Sequence, residues 1–397
     1  MSIGNRVIFC LIFWGFLSIT PLQAQVFQDS IFQKKALRGM DLLYNMEFSK
    51  AQEIFNSLKK EYPRESAPHF LTALNTWWKL SISRDFLGYD RTFLSEIDSA
   101  LKKVEILAKK PEHRMEYAFT SFNTLAFKAR YYGMREEWMT AANTARKALP
   151  FLLEGRKYLE KTHEFHFALG LYDYFAVYYP EKHPVTKPLM VFFPEGNKLN
   201  GIKLLEKACV EKNLSRNEAR FFLMRILTDD EPDFSKALEM AKFLSRKYPN
   251  NTVYRSYMGK LYYLNGDFSS ARTIFLGMEK LHLAALEKLN TRVDQIHSLY
   301  TSQVMIEPWY YLGRSFQDQK NPAYALVYFR KCEGLMNQCA EKDPILVADL
   351  YFQMGKCLEQ LSGREAAIPY YREALKKAQT SKQKQESSNC LKYPCTE

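Results

Sequence analysis

Four times along this chain a glycine is followed twelve residues later by an alanine, and sixteen residues later by an aromatic ring. The sets are Gly39, Ala51, Phe55; Gly259, Ala271, Phe275; Gly313, Ala325, Phe329; and Gly355, Ala367, Tyr371. A spacing of this kind places the glycine on one helix and the alanine and ring on the next, with small residues where the two helices touch. Ala237 precedes Ala271 by 34 residues, which is the length of one such helix pair. A pair of this size cannot bury its apolar stripe alone and must stack on its neighbours. A chain of 397 residues can therefore be one continuous stack instead of several globular domains.

Hydrophobic residues make up 47% of the chain and only 16 residues are glycine, so it reads as ordered, helical and poor in turns. The expectation is an all-α, right-handed α–α superhelix of about seven to eight helix pairs over residues 25–378. The first pair carries Leu37, Leu42 and Leu43, then Ala51, Ile54, Phe55 and Leu58, and Pro63 stops it. Further pairs read as 67–107, 114–153, Gly155 to Tyr179 with a return over 201–210, and 217–248. Two breaks interrupt the cadence. Gly259 and Gly313 are 54 residues apart, so about 20 residues lengthen the helices between them. Pro180, Pro184, Pro188 and Pro194 bracket the apolar run Leu189 to Phe193, which reads as an ordered insertion over 180–196 because four prolines forbid a regular helix. The polar tail, 379–397, is expected to fray or remain disordered.

At the N-terminus Arg6 precedes the apolar run Val7 to Phe16, and Leu22, Gln23, Ala24 follow. Residues 1–24 read as a secretory signal peptide cleaved after Ala24, too short in its apolar run to span a bilayer. Cys10 sits inside that run without a small residue before it, so a lipoprotein is not expected. The mature chain is expected to be exported, into a bacterial periplasm. Formal charge is +12, with Lys and Arg spread along helical faces and no compact arginine cluster with interleaved aromatics. Export and that dispersion argue against nucleic acid and leave a peripheral envelope association open. In an oxidising compartment cysteines can pair. Cys332 and Cys357 fall on helices expected to pack together and form the preferred bond; Cys390 and Cys395 could close a small loop, with buried free thiols as the alternative.

No phosphate-binding loop, dinucleotide fingerprint or nucleophile elbow occurs. His163 and His166 are three apart where a helical zinc motif needs four, and the cysteines lack C-x-x-C spacing, so no metal site and no cofactor is expected. The acidic loop Asp229 to Asp233 lacks a glycine for a calcium turn and reads as a helix cap. No catalytic residue is legible. Doubled rings are the better candidates, since adjacent helical residues point about 100° apart and cannot easily share one seam. Trp77 with Trp78, Tyr131 with Tyr132, and Tyr172, Tyr174 and Phe175 are candidate contacts for a partner or ligand. Phe192 and Phe193 of the insertion join them.

The four glycine–alanine–ring sets and Pro63 resemble tetratricopeptide repeats, four clear and three or four degenerate. Gly170, Leu171, Tyr172 through Pro180, with Pro194, Glu195, Gly196, Gly201, Leu204 and Leu205, is similar to the middle of the inclusion-body-clearance family of tetratricopeptide proteins. The resemblance implies a scaffold without an active site. The signal peptide departs from those relatives' intracellular setting, so their biological role does not carry over. The function expected is an exported, non-catalytic scaffold that holds a protein or peptide partner in the cell envelope. The alternative is a ligand-binding accessory protein of an envelope transport system, with a small molecule or glycan enclosed by the insertion and the tyrosines.

Overall fold

The computed structural model describes residues 29–84, 86–162, 164–182, 184, 187–190, 193–210, 214–288, 302–339 and 343–395. The expected signal peptide, Phe192 and His163 lie outside them. The described chain is all-α, an antiparallel stack of eight helix pairs closed by a final helix. The pairs are α1 Ser30–Tyr44 with α2 Phe48–Glu61; α3 Ala67–Ile82 with α4 Asp90–Val104; α5 Arg114–Met134 with α6 Trp138–Arg156; and α7 Glu164–Lys182 with α8 Lys198–Val210. They continue as α9 Arg216–Asp229 with α10 Phe234–Lys247; α11 Thr252–Leu264 with α12 Phe268–Lys288; α13 Ile306–Gln317 with α14 Pro322–Met336; and α15 Pro344–Ser362 with α16 Arg364–Lys377. The capping helix is α17, Ser381–Lys392. First helices of successive pairs neighbour one another and form an inner layer. Second helices form the outer one.

The cadence is a packing device. In each regular pair the ring of the second helix lies flat on the bare glycine of the first. A methyl group at Gly39 would sit 2.4 Å from Phe55, at Gly259 2.5 Å from Phe275, at Gly313 2.4 Å from Phe329 and at Gly355 2.6 Å from Tyr371. All four rings are fully buried. The degenerate fourth pair uses backbone against backbone: a methyl at Gly170 would lie 3.0 Å from the Gly201 carbonyl, and one at Gly201 2.7 Å from the Tyr174 nitrogen. Gly155 closes α6 and receives the Phe165 ring, so the fourth pair starts at Glu164 and not at Gly155.

Three further expectations are corrected. Helix α7 runs through Pro180 to Lys182, because a proline in the last turn forfeits one hydrogen bond near an end that frays anyway. The tail is folded: Thr380 and Gln383 form a capping box at the start of α17, which packs on α16. Cys390 and Cys395 are bonded, whereas Cys332 and Cys357 are free and buried. The Cys332 thiol turns away from α15 to the Ile306 carbonyl at 3.4 Å and the Met336 sulfur at 3.7 Å. Burial pushes both thiols up to about 12.

The disulfide holds the chain end on Glu359, whose carboxylate accepts the Cys395 N–H at 3.0 Å and the Tyr371 hydroxyl at 2.7 Å and pairs with Arg364 at 3.1 Å. Burial alone would raise the Glu359 pKa, but Tyr371, Cys395 and Arg364 outweigh it and hold it below its usual value. A carboxyl depressed in the folded state stabilises fully at neutral pH, and that contribution is lost as pH falls below about 4. Reduction of Cys390–Cys395 should therefore speed amide exchange over 381–395 while α1 to α13 keep theirs, and acidification should do the same to the oxidised chain. Protection of α17 unchanged by both treatments would contradict the latch.

The glycine seams predict opposite outcomes for one chemical change. Gly313→Ala should lower the thermal midpoint, with overpacking costing about 1–3 kcal/mol. At Gly277 and Gly334 an added methyl meets nothing within 4 Å. Alanine there should stabilise by up to about 1 kcal/mol through helix propensity. Equal effects at all three positions would rule out the ring-on-glycine account.

Candidate functional site

The inner layer curls until its first and fifth turns of chain meet. Tyr248 donates its hydroxyl to Asp41 at 2.6 Å, and Asn251 donates to the Tyr44 carbonyl at 2.7 Å, joining positions 207 residues apart. The Tyr44 ring packs on Trp78 at 5.9 Å and Tyr248 at 5.5 Å. Two large apolar cores result, one from Phe32 to Leu261 and one from Ala271 to Cys390, with a smaller separate cluster of α5 to α8 residues from Ala118 to Leu204.

Closure explains the doubled tryptophans. Trp77 is 7% and Trp78 4% exposed. They occupy two different seams: Trp77 meets Phe93 and Phe127, while Trp78 meets Tyr44, Phe221 and Tyr254 and donates its indole N–H to Glu218 at 3.2 Å. They are core residues, and the expectation of a partner contact is corrected for both. Tyr131 is also buried, its hydroxyl on Asp90 at 3.0 Å and its ring stacked on Phe93. Tyr132 is half-buried against it.

The α7 rings form a strap around the insertion. Tyr172 donates to the Pro194 carbonyl at 2.6 Å, and burial pushes its pKa up to about 12. Tyr174 is fully buried and donates to Glu231 at 3.2 Å; Phe175 stacks on Tyr179 at 5.3 Å. Phe193, half-buried, donates its N–H to the Met190 carbonyl. The acidic loop is wired into the same region. Asp233 caps α10, Asp229 holds Lys260 at 2.9 Å and Glu231 holds Lys198 at 3.3 Å. His166 is buried, and among the described residues no three His, Cys, Asp or Glu side chains gather as a metal site.

What the inner surface presents instead is a row of cations on aromatic rings. Phe127 and Arg130 on α5, Tyr179 and Lys182 on α7, Phe222 and Arg225 on α9, Tyr257 and Lys260 on α11, and Tyr311 and Arg314 on α13 repeat one spacing, ring then cation three residues later. Three apart is the same face of a helix. Arg130 and Lys260 lie over the ring three before them, Lys182 and Arg225 over the ring four before, and Arg314 over Tyr263. Arg130 is the centre of the row: its guanidinium carbon lies 4.7 Å over Trp77, 5.1 Å over Phe222 and 5.3 Å over Phe127. Its outer edge stays open to solvent. Enclosure by the surrounding helices pushes its pKa down to about 10; Glu218 opposes that and the repulsion of Arg225 and Arg84 adds to it. Arg225 lies over Phe221 at 5.9 Å, and its contact with Tyr257 together with the Asp229 carboxylate outweighs burial and holds its pKa above the usual value. Lys260 is held between Asp229 at 2.9 Å and Glu307 at 3.5 Å, and Arg314 between the Tyr310 hydroxyl at 3.1 Å and Asp349 at 3.7 Å.

This surface opens into a cleft of about 700 Å³ between the two cores. Ile82, Arg84 and Glu136 line its N-terminal side, Val253, Ser256 and Tyr257 its floor, and Ile306, Glu307, Met336 and Leu346 its C-terminal side. Tyr257 belongs to the cleft and to the cation row alike. The volume lies within the range of binding clefts, about 300–1,000 Å³. The sequence reading missed these cations because 95 residues separate Arg130 from Arg225. The ring–cation spacing on successive first helices was the signal that could have found them.

No family model matches the chain. No curated protein matches it. Solved structures similar to it include a tetratricopeptide repeat protein from Parabacteroides merdae ATCC 43184, with 13% identity over 81% of this chain and 98% of that one and a TM-score of 0.34. The apo form of RapI matches at 15% identity over 92% and 99% of the two chains, with a TM-score of 0.40. A dimer of human IFIT1 with m7Gppp-AAAA matches at 15% identity over 93% and 86%, with a TM-score of 0.41.

Asn251 offers a test of closure. Its side-chain oxygen caps α11 through the Tyr254 N–H at 3.0 Å while its amide nitrogen holds Tyr44. Asn251→Asp keeps the cap and removes the donor, so α1 amides should exchange faster while the α11 start stays protected. Asn251→Ala should loosen both, at a cost of about 1–3 kcal/mol for the closing bond and about 1 more for the cap. Identical exchange of α1 in both variants and the parent would show that the turn is held by something else.

Proposed function

We propose that this chain is a non-catalytic scaffold that holds an extended segment of a partner protein along its inner face and cleft, outside the cytoplasm. The observation that carries the reading is the cleft of about 700 Å³ continuous with the cation row, lined from both cores. Helical stacks present such concave surfaces to extended partners. Export rests on the apolar run Val7 to Phe16 and is supported by the Cys390–Cys395 bond, which belongs in an oxidising compartment. Among the described residues no helix is long and apolar enough to cross a membrane. The likeness of Gly170 to Gly201 to the inclusion-body-clearance proteins belongs to the same proposal. In this chain those glycines let α7 and α8 touch backbone to backbone. The ligand-binding alternative loses its enclosing tyrosines, whose hydroxyls on Tyr172 and Tyr174 are already engaged within the fold.

A photo-crosslinking residue at Leu346, in the cleft, should trap a partner from intact cells, and one at Glu239 on the outer layer should not. Cell fractionation of the same strain should place the adduct outside the cytoplasm. The same adducts from both positions, or none from Leu346, would contradict the reading.

A further inference from the structure

We propose that Arg130 and Arg225, on the cation row beside the cleft, form a receptor for one carboxylate of the bound segment. This deepens the scaffold reading and rests on it. Among the described residues neither guanidinium lies within ion-pair distance of a carboxylate, whereas on the next two inner helices Lys260 has two and Arg314 one. Glu218, the acid that acts on Arg130, is buried and turned to the Trp78 indole, and Asp229, the acid that acts on Arg225, is held by Lys260 at 2.9 Å. Three rings back the Arg130 guanidinium and leave the side chain exposed to solvent. A planar guanidinium held from behind presents its donors as a fork that matches a carboxylate in two parallel bonds. The rings beside it supply an apolar floor for a neighbouring side chain.

The row also selects against a chain of phosphates. Asp229 and Glu307 flank Lys260, and Asp349 stands beside Arg314, so a polyanion leaving Arg225 along the row would meet carboxylates before it met another open cation. A single negative charge set among apolar residues fits. That is the chemistry of an acidic side chain or a chain terminus next to a leucine-like residue, and not of a nucleic acid.

The probes are the pentapeptides acetyl-Ala-Leu-Glu-Leu-Ala-amide, its Gln counterpart, and the Gln peptide with a free C-terminus, titrated into the full oxidised chain. Trp77 fluorescence beneath Arg130 and calorimetry both report binding. The Glu peptide, the free-acid peptide or both should bind about tenfold or more tightly than the neutral one. Which of the two gains shows whether the site takes a side chain or a terminus. Arg225→Gln and Arg130→Met should each erase the preference, the second keeping an apolar stem on the rings. If Arg130→Met melts early, Arg225→Gln decides. Equal affinity for all three peptides, a preference that survives Arg225→Gln, or tighter binding of a ten-residue oligothymidylate would overturn the proposal. If the Leu346 adduct persists in Arg225→Gln cells while the peptides show no preference, the scaffold reading stands and the carboxylate receptor falls.

Discussion

An aromatic ring lying on a bare glycine sets the geometry from which the other features follow. At Gly39, Gly259, Gly313 and Gly355 the missing side chain lets the second helix of a pair come in until Phe55, Phe275, Phe329 or Tyr371 covers the backbone of the first. The contact fixes rotation as well as distance, since a ring can reach the glycine only if the first helix turns that face outward. Tyr257 and Lys260 bracket Gly259, and Tyr311 and Arg314 bracket Gly313. Seating the glycine under its ring therefore turns the cation toward the inner surface. Packing and the candidate site share one register.

Curling of the inner layer supplies the second constraint. Joining α1 to the α10–α11 corner buries polar groups that must then be satisfied. Asn251, Tyr248 and Asp41 do this for the backbone and side chains at the junction, and Glu218 does it for the Trp78 indole. The Tyr254 hydroxyl is buried there without a hydrogen-bond partner among the described residues. Arg130 differs: Trp77, Phe127 and Phe222 cover the face of its guanidinium while the side chain stays exposed, so its donors are open to an incoming oxyanion.

Much of the architecture was legible because the pairing rule is local. Pro63, Ala237 and the four glycine sets located helices within a few residues, and of the two readings left open for Cys390 and Cys395 the closed loop is the one formed. What misled the reading depended on distant chain. Trp77 and Trp78 looked too divergent for one seam, and they serve two seams because α9 and α11 return to cover the second. The tail composition suggested disorder, yet a capping box and a disulfide order it. Cys332 and Cys357 lie on neighbouring helices but face different ones. The cation row stayed hidden because its members are spread from residue 130 to 314, and only the superhelix lines them up.

The first five pairs close on themselves and so create the inner face. Asn45 and Asn250 meet at the junction, where the Asn250 N–H donates to the Asn45 side chain at 3.1 Å. The most direct measurement is disulfide formation in the double variant Asn45→Cys, Asn250→Cys, mapped by mass spectrometry of peptides under mild oxidation. Closure predicts a rapid, near-complete bond between the two introduced cysteines, with the four buried native thiols left free. Two introduced cysteines that stay reduced and react with a thiol reagent as exposed residues do would mean an open stack, and would remove the basis for the site described above.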